Sequence, residues 1–187
     1  MLEELRNHIN AITPLTYEEF SFVCSLFVEK KIKKKQFLIK EGDSVKYAYF
    51  IVSGLLKLTY VDDLGKVHIV SFAMEDWWES DFQAYFTQSK ARMSLQAIED
   101  TSVLCLSLKN YQKMCLEVPK MKTFLIEMSN KGFIASQQRI LSLLTTSVKE
   151  RYEKLLQKYP LLFQRVPKAQ LALYLGCSRE TLSRISS

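Results

Sequence analysis

The apolar periodicity of the chain changes near residue 107, and this change limits the folds that its 187 residues can adopt. Before Ser107, short runs rich in aromatic and β-branched residues are separated by turn signals such as Ser53-Gly54. After Ser107, apolar residues recur at helical spacing. Short strands at regular spacing favour a sandwich, barrel or jelly roll. The chain is therefore predicted to be α+β, with a β jelly roll first and helices after it.

Turns, caps and prolines place the predicted elements. Residues 1–28 are expected to form short helices, with Thr16 and Glu19 as a capping box. Ser147 and Glu150 form a second box, which opens a helix that ends at Lys158. Two further helices are expected at residues 109–117 and 120–145, separated by Pro119. The predicted strands lie at residues 36–40, 47–52, 55–61, 66–72, 92–97 and 102–108.

The net charge of +6 is concentrated at the C-terminal end. Residues 120–187 hold 12 Lys and Arg against 4 Asp and Glu, whereas residues 1–119 hold 14 against 16. A basic excess at one end of a chain is typical of nucleic-acid binding. The Lys-rich stretch at residues 29–35 is different, because it stands just before a predicted strand. It is expected to be a solvated loop or sheet edge and not a nucleic-acid patch.

The sequence offers no membrane span or secretion signal. No apolar run approaches the roughly 18 residues of a membrane helix, and the first residues are too acidic for a signal peptide. The four cysteines are widely spaced and lack a C-x-x-C pattern, so ordinary thiols are expected: Cys24, Cys105, Cys115 and Cys177. These features predict a cytoplasmic protein without a membrane partner.

Residues 167–186 have the pattern of two helices joined by a tight turn. Pro167 suits the first position of a helix, and Gly176 is a natural helix end. Ser178 is a good N-cap for the helix that follows. The first helix carries one apolar stripe, made of Leu171, Ala172 and Leu175. Together these features predict a helix-turn-helix unit.

The second of these helices separates apolar from polar side chains. Leu182 and Ile185 fall on one side, and the other side carries Arg179, Glu180, Ser183 and Arg184. As a merely solvated face, these charges would stabilise the helix by only about 0.3–0.5 kcal/mol per pair. As base readers, an Arg can donate two hydrogen bonds to guanine and a carboxylate can accept from cytosine, with about 1–3 kcal/mol of discrimination each. The composition therefore favours DNA reading over a solvated surface.

The run Gly176-Cys177-Ser178-Arg179-Glu180-Thr181-Leu182-Ser183-Arg184-Ile185 closely resembles the recognition segment of the cyclic-AMP receptor protein and fumarate-nitrate regulator (Crp/Fnr) family of transcription regulators. The resemblance implies that bases are contacted by Arg179, Glu180 and Arg184. It places Ser178 and Thr181 near phosphates, and Ser183 is a further DNA-binding candidate on the same face. DNA is the partner that this segment implies.

The resemblance extends to the plan of the chain. Residues 37–43 and 49–54 look like the opening hairpin of the family's cyclic-nucleotide-binding-like β jelly roll. In the family, helices flank this roll, and a long dimerisation helix and a C-terminal winged helix-turn-helix follow it. The implied domains are an effector domain at 1–119, a dimerisation helix at 120–146 and a DNA-binding domain at 147–187. The family's β wing would follow Ser187, which predicts a short gene or a truncated chain whose recognition helix frays.

The long predicted helix carries two apolar stripes. One comprises Met121, Leu125, Met128, Gly132 and Ala135, and it can cover the helix's own β domain. The other comprises Phe133, Gln137, Ile140 and Leu144. A second copy of the chain around a twofold axis is the simplest cover for it, and burial within the monomer is the alternative. A homodimer through residues 120–146 is therefore expected, and RNA polymerase is a further candidate partner.

Resemblance also locates a candidate effector site, where the chain departs from the family. In nucleotide-binding members a Gly-Glu pair holds the ribose and an Arg-Ser or Arg-Thr pair binds the phosphate. Here Ser80-Asp81 replaces Gly-Glu, and Arg92 is the single arginine in the phosphate region. Because the Cβ of Ser80 crowds a close backbone approach, cyclic AMP is not expected to bind tightly, and a different small-molecule effector is the remaining cofactor candidate. Further candidates are Trp77 and Trp78, which could also be core residues, and Ser136 and Gln137 from the dimerisation helix.

Three functions from different classes compete. The leading one is a signal-responsive transcription regulator that binds a roughly palindromic operator as a dimer. The second is a ligand-sensing β roll that regulates a protein partner without binding DNA. The third, a cupin-like metalloenzyme, is disfavoured because His8 and His68 are the only histidines. Haem ligation by either histidine and an iron-sulfur cluster are disfavoured as well, and no catalytic motif is present, so neither an enzyme nor a metal site is expected.

Overall fold

A computed structural model describes residues 2–185 of the chain. A strand-rich part is followed by a helical part. In chain order the elements are α1 Leu2–Asn10, α2 Tyr17–Ser25, β1 Phe27–Ile32, β2 Phe37–Ile39, β3 Tyr47–Ser53, β4 Leu56–Val61, β5 Val67–Ala73, β6 Trp78–Glu79, α3 Phe82–Thr87, β7 Ser94–Ala97, β8 Thr101–Ser107, α4 Leu108–Glu117, α5 Lys120–Thr145, α6 Val148–Lys158, α7 Pro160–Arg165, α8 Lys168–Leu175 and α9 Arg179–Ile185.

Two antiparallel four-stranded sheets form the β roll, with strand orders β1-β8-β3-β6 and β2-β7-β4-β5. Alternate side chains of both sheets meet in one core, which includes Tyr49, Ile51, Leu56, Leu58, Leu95 and Val103. The opposite face of β3 and β8 is buried as well, because α1, α4 and the start of α5 cover it. That second core includes Leu5, Ile9, Phe50, Leu104, Met114 and Phe124. The predicted jelly-roll part and its flanking helices are confirmed.

The turn between β3 and β4 depends on Gly54. Its φ of +104° lies in a region that L side chains rarely adopt, and an added Cβ would lie 2.7 Å from the Cα of Thr101. The strand-to-strand connection therefore needs glycine at this position.

Both predicted capping boxes are confirmed. The Thr16 hydroxyl accepts from the Glu19 N–H at 3.2 Å, and the Glu19 carboxylate accepts from the Thr16 N–H at 2.8 Å. Ser147 and Glu150 make the same reciprocal pair at the start of α6, with the corresponding distances 3.2 and 2.7 Å. These local signals place helix starts because the cap satisfies backbone donors that no helical bond can reach.

The helix expected up to residue 28 needs a correction, whereas the Lys-rich stretch at residues 29–35 lies exposed at a sheet edge, as expected. Residues 27 and 28, expected in a helix, begin β1, which continues through most of the Lys-rich stretch and pairs with β8 at the edge of its sheet. Four consecutive residues of β1 are exposed, so the strand shows no alternation of apolar and polar residues. Lysines at an open edge oppose pairing with another sheet, which explains the charge run.

Three short elements were absent from the predicted set: β6, α3 and α7. Each is two to six residues long, below the length at which periodicity is informative. Pro167 was expected at the first position of α8, but it is the residue before the helix, with an extended ψ of 138°. The helix starts at Lys168.

The long helix α5 spans the 26 residues that were predicted, Lys120–Thr145. Its buried side chains are Met121, Phe124 and Leu125, all within the first two turns. Gly132 and Ala135, which were expected to continue the covering stripe, are exposed. Apolar burial of α5 is therefore confined to its beginning, and most side chains after Met128 are exposed. None of the helices within residues 2–185 is long and apolar enough to cross a membrane.

Candidate nucleic-acid interface

The turn between α8 and α9 has well-defined hydrogen bonds. Gly176 has a φ of +73°, which is the left-handed conformation that ends α8. The N–H of Gly176 donates to the Leu173 carbonyl at 3.2 Å, and the N–H of Cys177 donates to the Ala172 carbonyl at 3.0 Å. These bonds satisfy the last carbonyls of α8 and set the direction in which the chain leaves the helix.

Ser178 then starts α9, as the sequence predicts. Its hydroxyl accepts from the Thr181 N–H at 3.1 Å and lies 3.1 Å from the Thr181 hydroxyl. Leu182 is 1% exposed and anchors the helix in the apolar core beneath it. Ile185 is half-buried. The last two residues of the chain, including Ser186 of the predicted segment, lie outside the described residues.

The outward side of α9 carries the predicted base readers. Exposed side chains on this side are Arg179, Glu180, Ser183 and Arg184, while Thr181 is half-buried. Hydrogen bonds from its own backbone N–H and from the Ser178 hydroxyl lower the pKa of Glu180. Its carboxylate is therefore ionised at neutral pH and can act only as an acceptor, as cytosine N4 requires. The surface presents guanidinium donors and a carboxylate acceptor side by side.

Arg151 on α6 contacts the end of α8, next to the turn. Its Nε donates to the Leu175 carbonyl at the end of α8 at 3.0 Å. Its Nη1 donates to the carbonyls of Thr146 and Ser142 at the end of α5. One guanidinium thus caps two helix C-termini, where positive charge is favourable. Arg151 therefore holds the end of α8 against the end of α5 and helps to set the orientation of α9, which follows α8.

The helix-turn-helix unit shares a core with the β roll. One cluster joins roll residues Leu55, Ile69, Phe72 and Ile98 to C-terminal residues Leu162, Val166, Leu171, Ala172, Leu175 and Leu182. Arg139 of α5 reinforces this contact, because its Nη2 donates to the carbonyls of Ile69 at 3.1 Å and Tyr174 at 3.0 Å. Its guanidinium also lies 3.7 Å from the centre of the Tyr174 ring. The C-terminal helices are thereby held in place against the β roll.

An ionic clamp, formed by Arg165 with Glu75 and Glu99, adds to the contact between the β roll and the C-terminal helices. Arg165 at the end of α7 donates to Glu75 at 2.8 and 2.9 Å and to Glu99 at 2.5 Å. Glu75 also accepts from the N–H of Gly54 at 2.7 Å. Hydrogen bonds to Glu75 and Glu99 raise the pKa of Arg165, so the arginine stays charged. Sequence reasoning missed Arg139, Arg151 and Arg165, because their partners are distant along the chain or are backbone carbonyls.

The family model for the cyclic nucleotide-binding domain matches residues 29–117, which span the β roll and α4. The transcriptional activator protein Anr of Pseudomonas protegens is 25% identical over 167 residues, which cover 83% of this chain and 68% of Anr. That match extends well beyond the nucleotide-binding domain. The chain is similar to transcription regulators of the Crp/Fnr family.

Two solved structures share the fold of this chain. The c-di-GMP responsive global regulator CLP of Xanthomonas campestris has a TM-score of 0.74 at 14% identity, covering 91% of this chain and 89% of that one. FixK2 of Bradyrhizobium japonicum has a TM-score of 0.72 at 19% identity, covering 86% and 82%. The combination of a β roll, a long helix and a C-terminal helix-turn-helix is therefore shared at low sequence identity.

Two of the candidate effector residues are buried and make internal contacts. Ser80 is 1% exposed and its hydroxyl donates to the Tyr47 carbonyl at 3.0 Å. Asp81, also 1% exposed, caps α3 by accepting from the Ala84 N–H. Its other oxygen accepts from the Arg92 N–H at 2.8 Å. The structure brings Ser80, Asp81 and the backbone of Arg92 together, while the Arg92 side chain is exposed.

The remaining effector candidates lie apart from one another. Trp77 meets Tyr159 edge-on, with ring centres 5.4 Å apart, and so faces the C-terminal helices. Trp78 faces the opposite core, 5.4 Å from the Phe50 ring. Ser136 and Gln137 are exposed on the part of α5 after Met128. Their role in effector binding stays a prediction.

The two histidines have structural surroundings. His8 packs against the rings of Phe50 and Phe124, with centres 5.1 and 5.4 Å away, and burial lowers its pKa. The His68 Nε2 lies 2.7 Å from Asp62 in the β4–β5 hairpin. Within residues 2–185, no three His, Cys, Asp or Glu side chains are grouped as metal ligands.

Proposed function

We propose that this chain is a signal-responsive regulator of the Crp/Fnr kind that binds a roughly palindromic operator as a homodimer. The observation that carries the proposal is the exposed side of α9, which displays Arg179, Glu180 and Arg184 on a helix anchored by Leu182. A helix fits the major groove of B-DNA, where donor and acceptor patterns distinguish all four base pairs. These three side chains would read bases.

Backbone contacts would come from the polar residues around the turn. Ser178 and Thr181 are polar residues at the start of α9, where their hydroxyl groups would contact phosphate oxygens if the Ser178 hydroxyl turned from Glu180 to the DNA. Thr181 and Ser183 lie on the same short helix. The basic excess of residues 120–187, 12 against 4, would neutralise phosphates and make binding strongly salt-dependent. Direct reading and phosphate contact are thus assigned to different side chains.

The dimer would form through residues 120–146. Beyond its first turns, α5 exposes a series of large apolar side chains: Ile126, Phe133, Ile134, Ile140, Leu141 and Leu144. Contiguous exposed apolar surface of this kind marks an interaction site. Pairing around a twofold axis would place two copies of α9 at matching half-sites of DNA.

The β roll would be the sensor, with Ser80, Asp81, Arg92 and the exposed Ser136 and Gln137 as its candidate contacts. Its coupling to DNA would run through the shared core and through Arg139, Arg151 and Arg165, which join the roll, α5 and the helix-turn-helix. The protein would act in the cytoplasm, where its DNA and the candidate partner RNA polymerase are found. Regulation by DNA binding, without catalysis, is the activity proposed.

The decisive variant is Arg179→Ala. Fluorescence anisotropy with a duplex that the protein enriches from random DNA should show binding ten- to about a hundred-fold weaker than wild type, since one bidentate arginine contributes about 1–3 kcal/mol of discrimination. Arg6→Ala, an arginine on α1 far from this face along the chain, is the control and should bind like wild type. Equal binding by Arg179→Ala would contradict the assignment. Absence of DNA affinity at every salt concentration would favour a β roll that regulates a protein partner.

A further inference from the structure

Two polar side chains lie within the exposed apolar stripe of α5. Along this helix, Ile126, Phe133, Ile140 and Leu144 are between 56% and 77% exposed. Asn130 and Gln137 are exposed too. In sequence order the six positions are 126, 130, 133, 137, 140 and 144, which are separated by alternating steps of four and three. This is the heptad spacing of a coiled-coil seam.

The heptad assigns the two amides to one class of position. Ile126, Phe133 and Ile140 fall at d, and Asn130, Gln137 and Leu144 fall at a. Leu at a with Ile at d shifts coiled coils from dimers towards trimers and tetramers. The apolar members of this seam would therefore favour an assembly larger than the dimer that two half-sites of DNA require. A polar residue at a opposes this tendency, because in a larger bundle it is buried more completely.

The amides also point to a second copy of this chain as the occupant. A side-chain amide contains both donor and acceptor groups, so it can pair with its own copy across a twofold axis. A fully apolar partner would leave both amides buried without hydrogen bonds, which is unfavourable. Only a parallel, in-register dimer places a opposite a, and thus Asn130 opposite Asn130 and Gln137 opposite Gln137.

We propose that Asn130 and Gln137 fix the orientation, register and dimeric state of the α5 coiled coil. This rests on the proposed dimer and adds the residues that specify it. The amides weaken association and exclude alternatives. In a parallel and in-register pair, the two C-terminal ends of α5 lie side by side, and Arg151 holds each turn before α9 against that end. The same register would therefore place the two recognition helices symmetrically.

The test compares Asn130→Leu/Gln137→Leu with wild type in the full chain. Light scattering coupled to size exclusion should give twice the monomer mass for wild type and a substantial fraction of larger species for the double variant. Gln138→Leu is the matched control, because Gln138 is the neighbouring exposed glutamine at heptad position b. It should remain a dimer. A double variant that is as purely dimeric as the control would overturn the proposal.

Register is measured by cross-linking through Leu144→Cys. In a parallel, in-register dimer the two introduced thiols face each other and form a disulfide under mild oxidation, whereas the wild type, with its four native cysteines, reports the background. Adding the two leucine substitutions should lower the cross-linked fraction at least threefold. An unchanged fraction would contradict the role of the amides. A wild-type protein that is monomeric at all concentrations would overturn the proposed dimer itself. A wild-type dimer whose cross-linking does not depend on Asn130 and Gln137 would overturn only their role in register.

Discussion

Replacing Arg165 by Met should remove the ionic clamp between the β roll and the helix-turn-helix and keep the apolar contact between them. The guanidinium makes close hydrogen bonds to Glu75 and Glu99, and the arginine side chain is 21% exposed. Methionine keeps much of the apolar stem and removes the charge. Hydrogen bonds to charged groups contribute about 1.5–3 kcal/mol when buried, and exposed ion pairs about 0–1 kcal/mol. For this half-buried clamp we expect a loss of about 2 kcal/mol in the free energy of unfolding.

Differential scanning calorimetry at neutral pH should show a decrease in Tm of about 4–8 °C, given about 2–4 °C per kcal/mol for a chain of this size. Lys33→Met is the matched control, because its ion pair with Asp100 lies next to Glu99 in sequence but its side chain is 79% exposed. We expect it to change the free energy by no more than about 0.5 kcal/mol. Equal changes in Tm for both variants would refute the clamp.

The clamp also has a predicted pH dependence. Burial raises the pKa of Glu75, but hydrogen bonds from Arg165 and from the Gly54 N–H outweigh it, so the net pKa is lowered. The stabilisation is therefore fully present above the ordinary glutamate pKa and is lost as pH falls through the lowered folded value. The difference in Tm between wild type and Arg165→Met should shrink correspondingly in acid.

Two further substitutions test the β roll. Burial raises the pKa of Glu79 to about 7. The stability that the protonated carboxyl contributes is therefore fully present below the unfolded pKa of 4.5 and is lost as pH rises to about 7. Glu79→Gln should flatten this part of the curve of unfolding free energy against pH. Gly54→Ala should destabilise the protein by more than about 2 kcal/mol in urea denaturation, since its Cβ would strike Thr101, whereas Gly42→Ala, with open space around it, should cost about 1 kcal/mol from its positive φ alone. A wild-type unfolding free energy that does not change between pH 4.5 and about 7 would contradict the account of Glu79. Equal losses of unfolding free energy in Gly54→Ala and Gly42→Ala would contradict the account of Gly54.

Local signals predicted local structure well. The start of α6 follows from the reciprocal bonds of Ser147 and Glu150, and the sharp end of α8 follows from Gly176, because these residues satisfy backbone groups within a few positions. The exposed side of α9 follows from helical spacing around Leu182. In these cases the residues that decide the geometry are neighbours in the sequence.

Long-range contacts were not predictable in the same way. Arg165 and Glu75 are 90 residues apart, and no local pattern marks them as partners. The edge strand β1 has four consecutive exposed residues, so its sequence lacks the alternation that marks a half-buried strand. Asp81 was assigned to an effector site from resemblance alone. The structure adds a role in capping α3, a helix too short for its pattern to be visible in the sequence.

The central claim is that two copies of α9 read DNA symmetrically, and enrichment of binding sites from random duplexes tests it most directly. The wild-type protein should select an inverted repeat whose half-site centres lie about 10 base pairs apart, one turn of B-DNA. Arg179→Ala should lose the preference at one position in each half-site. Selection of no sequence, or of a sequence without twofold symmetry, would contradict the account.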